Sequence, residues 1–316
     1  MLVPSLLSGT LSQHWISFLL KAYNLKLMPP HLPHPFATSA ILPAYNSSPM
    51  HTQDNTGTVL DRILESRRAE VDHRKRVLPE TALKYGVKAA SPVRDFSATL
   101  VRDGLNVIAE LKPASPSRGV IRDPFDPPAL ARSMESAGAA ALSVLTEGEF
   151  FGGSLKNLRD ARKSVALPVL RKDFIFDPWQ VWETRANDAD SFLLIVAALS
   201  DPLLRDLLAL GRELQMEPLV EVHTHAELDR ALATGSRIIG VNNRDLKTLA
   251  VRVETSFELI EQIPEHCLAI AESGLRAYAD LHDLRAAGFD AFLIGERLMQ
   301  APNPAAALFA LLTPAT

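Results

Sequence analysis

A carboxylate and an ammonium two residues apart, Glu110 and Lys112, follow the short apolar run Val107-Ile108-Ala109. Residues i and i+2 of a strand face the same side, so both groups point one way. The stretch Ala109 to Gly119, AELKPASPSRG, then runs into a Pro- and Ser-rich loop carrying Arg118. Such a pair is costly to bury unless it is matched or used. On this stretch alone, a structural ion pair at a sheet rim explains the residues as well as catalysis does.

The rest of the chain adds to the pattern. Eight β-rich runs occur: Asn106 to Lys112, Ala141 to Thr146, Pro168 to Phe174, Ser191 to Ala197, Pro218 to Thr224, Arg237 to Asn243, Leu268 to Ser273 and Ala291 to Glu296. Their ends recur roughly every 26 residues, the length of a strand, a helix and two loops. Helix patterns lie between them, with starts such as Asp177-Pro178, Asp201-Pro202 and Asn303-Pro304, where Pro suits the first turn. Strand–helix alternation demands a parallel sheet, and eight units close it into a (β/α)8 TIM barrel. An open doubly wound sheet is the alternative, but no Gly-x-Gly-x-x-Gly marks its first turn.

In such barrels the active site lies at the carboxyl ends of the strands. Those ends carry Glu110 and Lys112, Thr146, Lys172 and Asp173, Glu221, Asn242 and Arg244, Glu272 and Ser273, and Gly295. Two lysines, an arginine and three glutamates at one rim suit acid–base work on an anionic substrate. Ser273-Gly274 and Gly295, after the seventh and eighth runs, suit backbone N–H contacts to a phosphate.

Composition narrows the class. The 316 residues carry a net charge of -4, which argues against a nucleic-acid binder. The lone cysteine, Cys267, allows no disulfide within the chain and fits a cytoplasmic setting. No apolar run reaches the ~18 residues needed to cross a bilayer. His223 and His225 resemble a metal pair, but nothing completes a site, so they read as loop and helix-start residues. We expect no metal and no cofactor.

The first 49 residues hold seven prolines and seven serines but no Asp, Glu or Arg. Residues 1–55 are therefore expected to form a disordered extension, or to be upstream sequence before a natural start at Met50. Residues 56–316 are expected to form the barrel domain with an additional N-terminal helical segment. Leu60, Ile63, Leu64 and Val71 fall at helical spacing, predicting an amphipathic helix that ends before Pro79. A second short helix is expected through Phe96 and Leu100, covering one end of the barrel.

From about Val59 to Leu312 the chain resembles indole-3-glycerol-phosphate synthase of the tryptophan pathway. The resemblance rests on AELKPASPSRG, LSVLTEGEFFGGS (Leu142 to Ser154), LRKDFIFDPWQ (Leu170 to Gln180), PLVEVHT, GVNNRDL (Gly240 to Leu246), AESGL (Ala271 to Leu275) and AFLIG, in that order. It implies a helix covering the barrel mouth. It also implies ring closure of 1-(2-carboxyphenylamino)-1-deoxyribulose 5-phosphate with loss of carbon dioxide and water.

By the resemblance Lys172 is the general acid and Glu221 the general base. Lys112 binds anionic oxygens and assists loss of the hydroxyl, and Glu110 holds Lys112. Ser115, Asn242, Arg244, Glu272 and Ser273 bind substrate, and Phe151, Phe174, Leu193, Leu246 and Ile294 form the aryl pocket. Phosphate falls to Lys112, Gly274, Gly295 and the backbone of Glu296, whose side chain is expected to turn outward. EGEFFGGS and PASPSRG are candidate lids. The implied partners are the phosphorylated aromatic substrate and other tryptophan-pathway enzymes, with neither nucleic acid nor membrane. A related isomerase acting on phosphoribosylanthranilate would need a strand-one cysteine where Glu110 and Lys112 stand. A non-catalytic barrel would not need Lys172 and Glu221.

Overall fold

The computed structural model describes residues 57–314. The expected extension over residues 1–55 and the proposed start at Met50 lie outside the described residues. Eight parallel strands close into a barrel: β1 (Asn106–Leu111), β2 (Ala141–Leu145), β3 (Val169–Lys172), β4 (Ser191–Ile195), β5 (Leu219–Val222), β6 (Ile238–Asn242), β7 (Leu268–Glu272) and β8 (Ala291–Ile294). Each pairs with its neighbours in sequence, and β1 closes on β8 with Asn106 opposite Ala291. All eight expected runs are strands.

The helices are α1 (Val59–Val77), α2 (Glu80–Lys88), α3 (Pro127–Ser136), α4 (Leu155–Ser164), α5 (Pro178–Ala186), α6 (Asp201–Glu213), α7 (His225–Ala233), α8 (Glu254–Ile260), α9 (Tyr278–Ala287), α10 (Glu296–Gln300) and α11 (Pro304–Leu312). Asp177 and Asn303 cap α5 and α11, each with Pro in the first turn. These caps satisfy amide donors that would otherwise lack partners.

Strand side chains alternate between two apolar layers. Ile108, Leu170, Leu193, Leu219, Ile238 and Ile270 fill the barrel. Val107, Val169, Phe192, Val220, Ile239 and Ala271 face the helices. Period two then puts Glu110, Lys172, Glu221, Asn242 and Glu272 on the inner side, above the apolar filling.

The segment before β1 grips both ends of the barrel. Thr58 caps α1 through a capping box with Asp61. Arg67 of α1, 1 % exposed, donates to Asp173 at 2.7 Å just beyond β3. Arg74 pairs with Glu183, Lys75 with Asp177 and Ser66 with Glu149. Thus α1 braces the rim beside β2 and β3. No residue of α1 is among those that line the cavity; its contacts are with the rim beside it.

Pro79 caps α2, which packs on α5; the sequence pattern did not predict this helix. The expected helix through Phe96 and Leu100 is a 3-10 turn, Ser97–Leu100. Four residues give one turn, enough to drive Phe96 and Leu100 into the apolar filling. Asn106 donates to the carbonyls of Leu100 and Arg102 and fixes the turn beneath β1.

Candidate active site

A cavity of about 780 Å³ opens at the carboxyl ends of the strands. Glu110, Lys112, Lys172, Glu221, Asn242, Arg244, Glu272, Ser273, Gly274, Gly295 and Glu296 all line it, as do Phe151, Phe174, Leu193, Leu246 and Ile294. Ser115 is the predicted site residue that the structure does not bring to the wall. Its hydroxyl lies 3.4 Å from that of Ser117, which does line the cavity.

Lys172 sits at the centre. Its Nζ donates to Glu221 Oε2 at 2.7 Å and to Glu272 Oε2 at 2.8 Å. Burial opposes its charge, yet Glu221, Glu272 and Glu110 outweigh that and raise its pKa. Burial also works against ionised Glu221, but Lys172 and His223 hold it well below the usual carboxylate range. Glu272 goes the other way: burial, with the nearby charges of Glu221 and Glu110, pushes it up to about 7. One carboxylate of the pair therefore stays ionised while the other titrates near neutrality.

Glycines make room for these carboxylates. A Cβ on Gly240 would lie 2.2 Å from Glu272 Oε1, and one on Gly295 would lie 2.2 Å from Glu110 Oε1. Glu110 in turn holds Lys112 at 2.7 Å, the expected arrangement.

The apolar side of the cavity is built by two touching loops. Buried Glu147 accepts from the amides of Glu149, Phe150 and Phe151 at 2.9 to 3.0 Å, folding EGEFFGGS into a tight turn. Ala114 of PASPSRG donates to the carbonyl of Phe151 at 3.2 Å. The rings of Phe151 and Phe174 lie 6.1 Å apart. Leu193 and Leu246 join the inner apolar layer, while Ile294 packs mainly toward the helices.

The opposite side of the cavity differs from expectation at Glu296. Its side chain does not turn outward. It lines the cavity, 3.1 Å from Arg118 Nε and 3.4 Å from Arg244 of the loop after β6. A carboxylate beside two guanidinium groups is drawn to them. Asn242 Oδ1 accepts from Ser273 Oγ at 2.8 Å and from the Arg244 amide at 3.0 Å, tying the ends of β6 and β7. Arg276 and Arg297 also face the cavity, which makes this side cationic.

Two features escaped the sequence reading. His223 is a loop residue, as expected, but its Nε2 also lies 3.4 Å from Glu221 Oε1, a proximity the sequence does not announce beyond the i+2 spacing. His225, by contrast, begins α7 as expected. The second feature is a buried network in which Arg171 and Arg67 both reach Asp173 Oδ2, at 2.8 and 2.7 Å. No spacing rule links Arg67 to a residue over a hundred positions away. Among the described residues, no group of three His, Cys, Asp or Glu could hold a metal ion, and no helix is long and apolar enough to cross a membrane.

Comparisons with known proteins agree with this geometry. The chain is 47% identical over 262 residues to the indole-3-glycerol phosphate synthase of Mycobacterium sp. (strain KMS), covering 83% of this chain and 96% of that one. It is 50% identical over 244 residues to the enzyme of the same name from Chlorobium chlorochromatii (strain CaD3), covering 76% and 95%. Among solved structures it resembles the N-acetylmannosamine-6-phosphate 2-epimerase of Clostridium perfringens, with a TM-score of 0.51 at 14% identity, covering 66% of this chain and 93% of that one. At that identity the likeness shows the barrel fold alone. The model of the family Indole-3-glycerol phosphate synthase matches residues 60–311, and the chain belongs to that family.

Proposed function

We propose that the cavity closes the five-membered ring of 1-(2-carboxyphenylamino)-1-deoxyribulose 5-phosphate to give indole-3-glycerol phosphate, with Lys172 as general acid and Glu221 as general base. The observation that carries this reading is the buried Lys172 ammonium held between Glu221 and Glu272 on the cavity wall. The aryl group lies against Phe151 and Phe174. The phosphate lies toward Lys112, Arg244, Gly274, Gly295 and the amide of Glu296.

Carbon–carbon bond formation comes first. The ring carbon bearing the carboxylate attacks the ribulose carbonyl, and Lys172 protonates the carbonyl oxygen as its charge develops. The carbon–carboxylate bond breaks, carbon dioxide leaves, and the ring regains its aromaticity. The new hydroxyl departs as water with a proton, assisted by Lys112, while Glu221 removes a proton to complete the indole. Two protons enter and one leaves. The net uptake of one matches the loss of a carboxylate as neutral carbon dioxide.

Single-turnover kinetics test the roles by following carbon dioxide release separately from indole formation. Lys172→Ala should lower the cyclisation rate by at least ~100-fold. Glu221→Gln should release carbon dioxide yet stall before the indole. Near-normal turnover by Lys172→Ala, or a Glu221→Gln block before decarboxylation, would overturn the assignment. For the wider setting, we propose a cytoplasmic enzyme whose partners, beyond its substrate, are other enzymes of the tryptophan pathway.

A further inference from the structure

Two carboxylates share the single Lys172 ammonium, at nearly equal distances. Both are buried, Glu221 and Glu272 each at 2 % exposure. Something must decide which of them stays charged, and the surroundings differ on one side only. Glu272 Oε1 has no hydrogen-bond partner among the described residues. Glu221 Oε1 faces the His223 ring, 3.4 Å from Nε2.

His223 follows Glu221 at i+2, in the bend just after β5 ends at Val222. Its ring is held from behind: Nδ1 lies 3.0 Å from Glu227 Oε2, which also accepts the His223 amide at 2.8 Å. Glu227 is in the first turn of α7, so the helix start fixes the imidazole against the carboxylate. The side chain is only 9 % exposed. Its buried Nε2 makes no hydrogen bond among the described residues, and the Glu221 carboxylate lies 3.4 Å from it.

We propose that His223 is a positioning residue for the base, holding the second oxygen of Glu221 so that this carboxylate keeps its charge and aim when Lys172 gives up its proton. The proposal rests on Glu221 being the base. Without a second cation, Glu221 would lose its main electrostatic support at the moment Lys172 turns neutral, leaving only the Glu110 charge near Glu272 to tell the two carboxylates apart. Like charges that close compete for a proton, and either could take it. With His223 in place, a proton that the carboxylate pair takes up from solvent settles on Glu272, and Glu221 remains able to accept one from the intermediate.

The charged groups around the ring favour its cationic form. Glu221 lies on its own strand and Glu227 on α7, and Asp245, in the loop after β6, interacts with it electrostatically. Lys172 lies beyond Glu221. Burial opposes the imidazolium, but Glu221 and Glu227 outweigh it and raise the pKa to about 10.

The test is the pH dependence of kcat for the full chain, with His223→Ala, His223→Gln, Glu227→Gln and Glu221→Gln beside wild type. In His223→Ala the acid limb of the profile should move up by about one pH unit, so kcat on that limb falls ~10-fold. KM should change less than about twofold. In single turnover, the loss should fall after carbon dioxide release. His223→Gln keeps a neutral donor of similar reach but no charge, so its limb should stay shifted, by less than in His223→Ala. Glu227→Gln should shift the limb the same way by less.

Wild-type profiles in the His223 variants would overturn the proposal. So would a uniform loss at every pH that tracks a lower melting temperature. Should both His223 variants fail to fold, an unshifted Glu227→Gln profile overturns it. Normal turnover by Glu221→Gln would sink the base assignment itself. An inactive Glu221→Gln beside unshifted His223 variants would sink this proposal alone.

Discussion

Gly240→Ala tests whether the aim of Glu272 matters to the chemistry, because Gly240 acts on the site by leaving space. It lies on β6 between two inward-facing residues, Ile238 and Asn242. A Cβ there would come within 2.2 Å of Glu272 Oε1 and 3.0 Å of Leu219 Cδ1. Leu219 belongs to the packed inner layer and has little room to yield. The carboxylate must therefore retreat by roughly 1 Å to reach ordinary contact. Its hydrogen bond from Lys172, now 2.8 Å, would stretch beyond useful reach. A hydrogen bond to a charged group contributes about 1.5–3 kcal/mol, and a displacement of about 1 Å in a catalytic group can cost about 100-fold. The expected result is a fall in kcat of ~10- to 100-fold. The melting temperature should drop by only a few degrees, since one methyl group enters a polar layer. Steady-state turnover read by indole fluorescence, beside a thermal melt, measures both. A folded Gly240→Ala enzyme with wild-type kcat would show that Glu272 can move without consequence, and the account of the Lys172 pair would fail.

Other outcomes follow from the same geometry. Arg244→Ala should raise KM about tenfold, the scale of one charge-assisted contact to an anion, with kcat nearly unchanged; a kcat effect without a KM effect would remove Arg244 from the anion side. Burial works against ionised Asp173, but Arg67 and Arg171 lower its pKa from 3.8 to about 2. That interaction contributes stability in full above pH 3.8 and loses it as pH falls through about 2. Asp173→Asn should lower stability at pH 7 by about 1.5–3 kcal/mol, the scale of a hydrogen bond to a charged group, because it removes the carboxylate shared by two buried guanidinium groups that keep Glu183 and Glu70 as partners, and should flatten acid unfolding in that window; an unchanged urea midpoint at pH 7 contradicts this. Turnover should survive exhaustive chelation, and loss restored by a divalent metal would refute the metal-free mechanism.

Much of the architecture was legible because it depends on local rules. Eight apolar runs separated by capped helices imply a parallel barrel, and period two assigns Glu110, Lys172, Glu221 and Glu272 to one inner rim. Glu110 beside Lys112 on β1 needed nothing more than i+2 spacing. The helix α2 was missed because Pro79 reads as a stop. A proline that ends one helix can equally cap the next. The turn at Ser97–Leu100 was overextended because two apolar residues suffice for either reading.

Only the folded chain decides what meets across distance. Sequence marks Lys172, Glu221 and Glu272 as rim residues, but barrel closure sets the two carboxylates on one ammonium and so separates their pKa values. The outward turn expected for Glu296 assumed an isolated carboxylate. Arg118 comes from the loop after β1 and Arg244 from the loop after β6, and their combined field draws Glu296 inward. Arg67 reaches Asp173 because α1 runs along the rim. His223 lies two residues from Glu221 in the sequence, yet only the fold shows Glu227 of the next helix holding its ring, 3.0 Å from Nδ1. Spacing along the chain determines the face a side chain takes; electrostatics between chain-distant groups determines its charge, and only closure of the barrel brings those groups together.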